Sequence, residues 1–517
     1  MKSDYKFRIT ILVILFWYCF TNAQVNSNIE WQKVLGGTGY DKGLSIIKTL
    51  DEGYIVAGFT TSDNNGDVVG NHGLFDCWII KLSQSGNISW KKTIGGTSND
   101  LALSIIEAFD GGYVLVGRTS SNDGDIIGYE DSIYNHILVV KLSSIGNIEW
   151  LKKIGGNYNN TADSICQTLD GGLIVTGVID AISNLGSFRD LLVLKLNNSG
   201  DIEWQQTFGG SADEFNRSVA STPDGGCIIL GGTISTDGDV TNNNGSYDFW
   251  VIKLNNLGNI EWQKTYGGSD FDFPKSIIKT SDGGYIVAGS TDSDDGDITE
   301  YRGWTDAWVV KLDNIGNIEW QKTYGGNVTD NINSIYQTND NGYILAGLSN
   351  STDLGIINSN YRSGWILKLS PFGVVEWQGQ LGGNDNEELY SILQTNEGGY
   401  ITTGYTSSNN GDVTGNHGFD DLWILKINEN YLSNNLFLEN SNLTLFPNPA
   451  KENITLKLNY FSPSQEISIT DIQGKIIHNQ KLEGLSTTIN TSIFEKGIYF
   501  LNIVDGTQKT TKKFIVE

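Results

Sequence analysis

Ile260-Glu261-Trp262-Gln263-Lys264-Thr265-Tyr266-Gly267-Gly268 decides the fold, because the chain keeps returning to it. Related phrases are centred on Trp31, Trp90, Trp150, Trp204, Trp320 and Trp377, which with Trp262 makes seven copies spaced 54 to 60 residues apart. A fixed period of that length marks one supersecondary unit stacked many times. It also directs attention away from the repeated residues as a source of chemistry, since a residue present in every unit belongs first to the scaffold.

Working outward from Gly268, Ser276-Ile277-Ile278-Lys279-Thr280 and Tyr285-Ile286-Val287-Ala288-Gly289-Ser290-Thr291 are β-rich runs. Asp282-Gly283-Gly284 stands between them and supplies the positive φ that a hairpin turn requires. A polar loop, 292–306, leads to Ala307-Trp308-Val309-Val310-Lys311-Leu312, and a five-residue loop returns the chain as Ile318-Glu319-Trp320-Gln321-Lys322. Two successive hairpins make a four-stranded antiparallel blade with strands a, b, c and d. A lone small sheet is marginal in water, whereas blades set radially bury both faces against neighbours. The predicted fold is all-β: a seven-bladed β-propeller, with a linear β-solenoid as the alternative.

The phase of the repeat argues for closure. The phrase at 29–35 is a strand d with no a, b or c before it, and the last unit, 391–427, has a, b and c with no d after it. An N-terminal strand that completes the last blade satisfies both. Setting Leu254 opposite Ile260 places Lys253 opposite Glu261, and the same count pairs Lys141 with Glu149, Lys195 with Glu203, Lys311 with Glu319 and Lys368 with Glu376. Lys426 and Glu30 are then each left without a partner unless they meet across the closure.

Residues 1–23 have the pattern of a secretory signal peptide: basic Lys2, Lys6 and Arg8, an apolar stretch from Ile9 to Phe20, and the small-residue site Thr21-Asn22-Ala23. The apolar stretch is too short for a stable bilayer span. Bulky Phe16, Trp17 and Tyr18 before Cys19 argue against a lipid anchor. No later stretch is long and apolar enough to span a membrane. A net charge of −26 and a pI near 4.5 disfavour nucleic acid and anionic membranes as partners. Cys77, Cys166 and Cys227 fall in apolar slots of the repeat and read as buried thiols. The expectation is an exported monomer.

After Asn428 the period stops. The expected division is a signal peptide at 1–23, the propeller at 24–428, a linker at 429–441 and a C-terminal β-sandwich at 442–517. The last segment contains Phe446-Pro447-Asn448-Pro449-Ala450, Asp471-Ile472-Gln473-Gly474, Gly497-Ile498-Tyr499 and Lys512-Lys513-Phe514-Ile515-Val516. In this combination it resembles the C-terminal sorting domain of type IX (Por) secretion substrates of Bacteroidota. The resemblance implies export across an outer membrane, engagement of the type IX machinery, and release from or attachment to the cell surface. The repeats also resemble a broad class of secreted propellers carrying an Asp-Gly-Gly-Tyr phrase, which names no activity.

In a propeller the b–c and d–a loops share one face, and here those loops are long and acidic. Asp292, Asp294 and Asp297 form the densest carboxylate run and the candidate calcium site, since calcium favours closely spaced oxygens. The competing reading is that Asp-Gly pairs shape turns. Neither a catalytic triad order nor a zinc spacing occurs among the few histidines. The repeat breaks at Tyr301, Arg302 and Trp304 in unit five and at Tyr361 and Arg362 in unit six. Aromatics beside arginine on neighbouring loops are the candidate ligand-binding residues. The expected function is a non-catalytic, secreted or surface propeller binding glycan or protein through this face. The alternatives are a carbohydrate-active hydrolase or lyase using a carboxylate pair there, and a structural surface module with calcium-stiffened loops.

Overall fold

The computed structural model describes residues 29–127, 134–156, 158–183, 186–351 and 361–428, and in the tail 443–458, 466–471, 475–482, 484–505 and 508–517. The expected signal peptide and linker lie outside the described residues. The chain divides into two compact units, 1–434 and 435–517.

The first unit contains seven four-stranded antiparallel sheets among the described residues. Blade 1 is built from Asp41–Lys48 (a), Tyr54–Thr60 (b), Asp76–Leu82 (c) and Ile88–Ile94 (d). Blades 2 to 6 follow the same plan over 100–154, 160–208, 214–266, 272–324 and 330–381. Blade 7 takes Glu387–Gln394, Tyr400–Thr406 and Asp421–Ile427, and its fourth strand is Ile29–Leu35 from the start of the chain. The termini therefore meet, and blade 7 packs on blade 1 as every other blade packs on its successor. Strands a lie innermost and touch one another around the wheel. Serine hydroxyls lace them together: the Ile105 amide donates to Ser45 Oγ, Ile392 to Ser334 Oγ and, across the closure, Ile46 to Ser391 Oγ.

Each letter of the repeated phrase has a structural duty. Its tryptophan tilts against the strand-b tyrosine of the next blade, as in Trp262–Tyr285 and, across the closure, Trp31–Tyr54. Its glutamine accepts from the indole of the buried strand-c tryptophan: Gln263 from Trp250 (2.7 Å), Gln321 from Trp308 (2.9 Å) and Gln32 from Trp423 (2.9 Å). Its glutamate meets the strand-c lysine, though not in the register counted from sequence. A bulge slips the pairing, so Lys253 stands opposite Trp262 and Glu261 is the extra residue.

The lysine, buried to its ammonium, reaches a second acid in the a–b turn. Lys253 Nζ lies 2.6 Å from Asp224 and 2.8 Å from Glu261; Lys311 lies 2.9 Å from Asp282 and 2.7 Å from Glu319. Lys426 lies 3.2 Å from Glu30 and 2.6 Å from Glu397, which makes the expected contact across the closure. Lys195 departs from the expectation. It bonds Asp170 (2.8 Å) and Thr168 and not Glu203. In the turn itself, Gly283 has the positive φ (90°) that the Asp-Gly-Gly pattern anticipated, while Asp282 Oδ1 caps the Gly284 amide (3.0 Å).

Cys77, Cys166 and Cys227 are buried free thiols, as expected. The tail unit is a sandwich of a three-stranded and a four-stranded sheet. Its core holds Ile454, Leu456, Ile469, Leu501 and Phe514. Asn448 and Ala450 fasten its opening segment to the C-terminal strand: the Ile515 amide donates to Asn448 Oδ1 (2.9 Å) and the Ala450 amide to the Ile515 carbonyl (2.8 Å).

Candidate functional site

The acidic loops are built as backbone clamps. In five blades the last residue of the loop's Asp-Gly-Asp or Asn-Gly-Asp donates its amide to the first carbonyl of the preceding Gly-Gly, as Asp297 does to Gly267 (3.1 Å) and Asp125 to Gly95 (2.9 Å). The side chain returns a bond, Asp297 Oδ2 accepting from the Gly267 amide (3.1 Å). The first acid accepts from the residue after Gly-Gly, as Asp295 does from the Ser269 amide (2.7 Å). The three acids singled out in sequence go separate ways: Asp297 to Gly267, Asp292 half-buried with its Oδ1 unpartnered, and Asp294 to solvent. Among the described residues no three His, Cys, Asp or Glu side chains converge in a metal-holding cluster.

Beneath these clamps a second acidic pattern crosses the blade junctions. The first residue of strand c and the first residue of the next strand a are both buried acids: Asp76 with Asp100, Asp248 with Asp272, Asp306 with Asp330, and Asp421 with Asp41 across the closure. A glycine lies between each pair. A Cβ on Gly267 would come within 2.4 Å of Asp248 Oδ1 and 2.6 Å of Asp272 Oδ2, so only glycine fits. Burial pushes Asp248 up to about 7, its neighbours Asp272 and Asp297 adding to the rise. Asp272 and Asp306 reach about 6, again chiefly through burial. These pairs are sealed from solvent, so they serve the scaffold and not an open site.

Sevenfold order fails in the slots that face the centre of the wheel. Where strand a first turns inward the blades carry Lys42, Leu101, Thr161, Phe215, Phe273, Asn331 and Glu388, set opposite Phe59, Arg118, Val178, Gly232, Ser290, Leu348 and Tyr405 on strand b. Two residues further along come Asp163, Arg217, Lys275, Asn333 and Tyr390. Over blades 2 to 5 these residues line a cavity of about 510 Å³ with Arg118, Asp163, Arg189, Phe215, Asn216, Arg217, Tyr247 and Phe273 on its walls. Phe215, Phe271 and Phe273 pack around Tyr247 with ring centres 5.1, 6.3 and 6.2 Å away. Arg189 meets Asp213 at 3.4 Å, and Asn159 donates to Asp180 (2.8 Å). Burial lifts Asp163 to about 6 against the opposing pull of Arg217 and Asn216. Across the channel, Lys42 bonds Asp420 (2.9 Å) and lies 3.5 Å over the Tyr405 ring.

The loop residues predicted to bind ligand divide between two places. Arg362, just before strand c, aligns with Arg189 of blade 3, which lies within strand c there, and its charge acts on the Tyr405 phenol at the channel. Arg302 bonds Glu300 (3.4 Å), and the Tyr301 hydroxyl closes the loop on the Trp304 carbonyl (2.7 Å). Trp304, 78% exposed, shares one slot of the repeat with Leu74 (61%), Tyr361 (43%) and Phe419 (61%), and with Tyr134 and Phe188. The slot two residues before strand c thus carries a collar of large apolar side chains on the loop face. Trp304 and Tyr361 of this collar are singled out in the sequence, whereas the rest of the collar and the arginine pocket are not. Aligning the units on Gly-Gly and reading the slots that vary, instead of those that repeat, exposes them.

Comparison with known proteins bears on the two units differently. Residues 444–517 match the family described as "Secretion system C-terminal sorting domain". The tail is a sorting domain. It marks the protein for export to the cell surface or the extracellular space and implies engagement of the type IX machinery. No described helix is long and apolar enough to cross a membrane. The propeller is 24% identical over 252 residues to the regulatory protein FlaEY of Caulobacter vibrioides, covering 43% of this chain and 26% of that one. It is 23% identical over 383 residues to an uncharacterised WD repeat-containing protein of Acanthamoeba polyphaga mimivirus, covering 64% and 26%. The chain spans about a quarter of the length of these curated relatives. Among solved structures it is similar to PorZ, a surface component of the type IX secretion system of Porphyromonas gingivalis (9% identity, 95% of this chain and 75% of that one, TM-score 0.25). It is also similar to a polysaccharide lyase, an ulvan lyase (9%, 77% and 96%, TM-score 0.43). Likeness at these levels carries no functional argument.

Proposed function

We propose that the protein is an exported, non-catalytic propeller that holds an extracellular saccharide across the mouth of its central channel. One observation carries this reading: the repeat varies where side chains face the channel and collar, and there arginines, amides and aromatic rings surround a cavity of about 510 Å³. Exposed aromatic faces stack on sugar rings, and amides and carboxylates match hydroxyls. Turnover is not part of the reading. Burial, aided by Asp213, raises Tyr247 and keeps its phenol protonated, Asp163 is held among Arg217 and Asn216, and no histidine is among the described residues that line the cavity.

A glycan array probed with the exported chain tests this. Binding without release of shortened product is expected, and Trp304→Ala should weaken it. Product formation would replace the reading with that of a hydrolase or lyase. A blank array together with a protein partner lost on Trp304→Ala would replace it with a protein-binding role.

A further inference from the structure

We propose that the pocket over blades 2 to 5 takes the anionic group of an acidic saccharide, a carboxylate or a sulfate ester, among the guanidinium groups of Arg118, Arg189 and Arg217. This rests on the saccharide-binding reading and adds the charge of the ligand.

The argument starts from crowded like charge. The chain carries a net −26, yet cations gather here. The enclosing channel walls and then Arg189 lower the basicity of Arg217, whose side chain stays open to solvent and charged, and burial and then Arg217 lower that of Lys275. The carboxylates nearby are largely committed. Asp213 serves Arg189 (3.4 Å) and the Tyr247 hydroxyl (3.5 Å), and Asp180 accepts from Asn159 (2.8 Å). Glu388, which draws on Lys275, accepts from Asn333 (2.9 Å) and from the Tyr390 hydroxyl (3.2 Å). That leaves Asp163, which burial makes a reluctant anion. A bound anion supplies the missing negative charge, and the planar fork of a guanidinium presents paired N–H donors that fit a carboxylate or a sulfate.

The other walls select a sugar over a bare ion. Phe215, Tyr247 and Phe273, their rings tilted against one another, offer an aromatic side of the cavity. Asn216 is wholly buried on its wall, and neither its side-chain oxygen nor its side-chain nitrogen has a hydrogen-bond partner. A ring hydroxyl can donate to that oxygen and accept from that nitrogen, whereas a fully ionised inorganic anion can only accept.

The groups facing Asp163 are Arg118, Arg189 and Arg217, with Lys275, Asp180 and Asp213 beyond them. As the pH falls through the Asp163 range this carboxyl takes up a proton and stops competing for Arg217. An acidic ligand, still ionised there, should bind more tightly at about pH 5.5 than at about pH 7.

The test is calorimetry on the full exported chain with a tetragalacturonate, a sulfated galactan tetramer and a neutral galactan tetramer. At least one acidic tetramer should bind about tenfold or more tightly than the neutral one, and the two acidic arms identify carboxylate or sulfate. Arg217→Ala should abolish that preference with the melting curve unchanged, and Arg217→Lys should restore part of it. Arg118→Ala gives a second variant should the first fail to fold. Equal binding of acidic and neutral tetramers, or a folded Arg217→Ala protein that keeps the preference, overturns the inference. Neutral binding that depends on Trp304 but not on Arg217 leaves the saccharide reading standing and removes only this one. Binding of none of the three, with capture of an acidic peptide instead, removes both.

Discussion

The two faces of the wheel use charge in opposite ways. On the face of the a–b and c–d connections, a buried lysine in each blade is clasped by an acid from the turn and, in most blades, by a second acid from strand d. On the other face, acids are buried against acids at the blade junctions, and the residues above them differ from blade to blade. The first arrangement repeats because each blade faces the same problem of register and edge. The second leaves its innermost slots free to vary, because strand a needs only its backbone and bulge serine to hold the ring. Recognition can therefore be grafted onto the centre without disturbing the scaffold.

The comparison breaks most severely if the ring is opened. Deleting residues 24–35 strips blade 7 of its outer strand and exposes the surfaces that Trp31, Val34 and Leu35 cover. The expected loss is about 5 kcal/mol or more, seen in a urea midpoint. An unchanged midpoint would mean that the wheel does not depend on its first strand. Next in size is Gly267→Ala, which drives a methyl group between Asp248 and Asp272 and should cost about 2–3 kcal/mol. Lys253→Met leaves Asp224 and Glu261 repelling one another over an apolar stem, for about 1–3 kcal/mol. Glu203→Gln, at a glutamate that Lys195 does not reach, should change stability by less than about 0.5 kcal/mol.

The pH dependence separates the faces in one experiment. Asp248 at about 7 and Asp272 and Asp306 at about 6 lie above the unfolded value of 3.8. Their stabilising contribution is complete below that value, is lost progressively as the pH rises from there, and is gone once the pH has passed their folded values of about 6 to 7. Asp170, Asp224 and Asp282 lie at about 2. Asp170 is lowered first by its lysine bond. In Asp224 and Asp282 the lysine and threonine bonds outweigh burial. Their contribution is present above 3.8 and is lost as the pH falls towards 2. The melting temperature should thus peak near pH 4 and decline on both sides. The acid limb should be the shallower, because the turn acids are partly exposed and solvent screens them. Asp248→Asn should flatten the alkaline limb, and a flat wild-type profile would contradict the assignment of both patterns.

How much of this was legible in the sequence depends on the range of the signal. The period of the Trp phrase gave the blade, and the unmatched strand at Ile29 gave the closure, because both are patterns along the chain. The lysine clasp was half visible. Glu261 is near Lys253 in sequence, whereas Asp224 is brought to it by the turn, and the bulge that shifts Trp262 opposite Lys253 leaves no mark in residue type. The acidic loops carry a duty that their composition does not announce: Asp-Gly-Asp reads as cation-binding, and its oxygens accept from the amides of the preceding Gly-Gly and of the residue after it. The pocket was hidden because Asp163, Arg217 and Lys275 lie in different blades, each at the bulge of its strand a, a break in the alternation that residue type does not announce. Only the wheel brings them together.

The division of labour between the faces is tested most directly by measuring two variants side by side for both melting temperature and affinity for an acidic tetrasaccharide. Arg217→Ala should lose about tenfold or more in affinity while melting with the wild type, and Lys253→Met should melt early while binding normally. The reverse pattern, with the clasp variant folded but unable to bind and the pocket variant unstable but binding, would contradict the account.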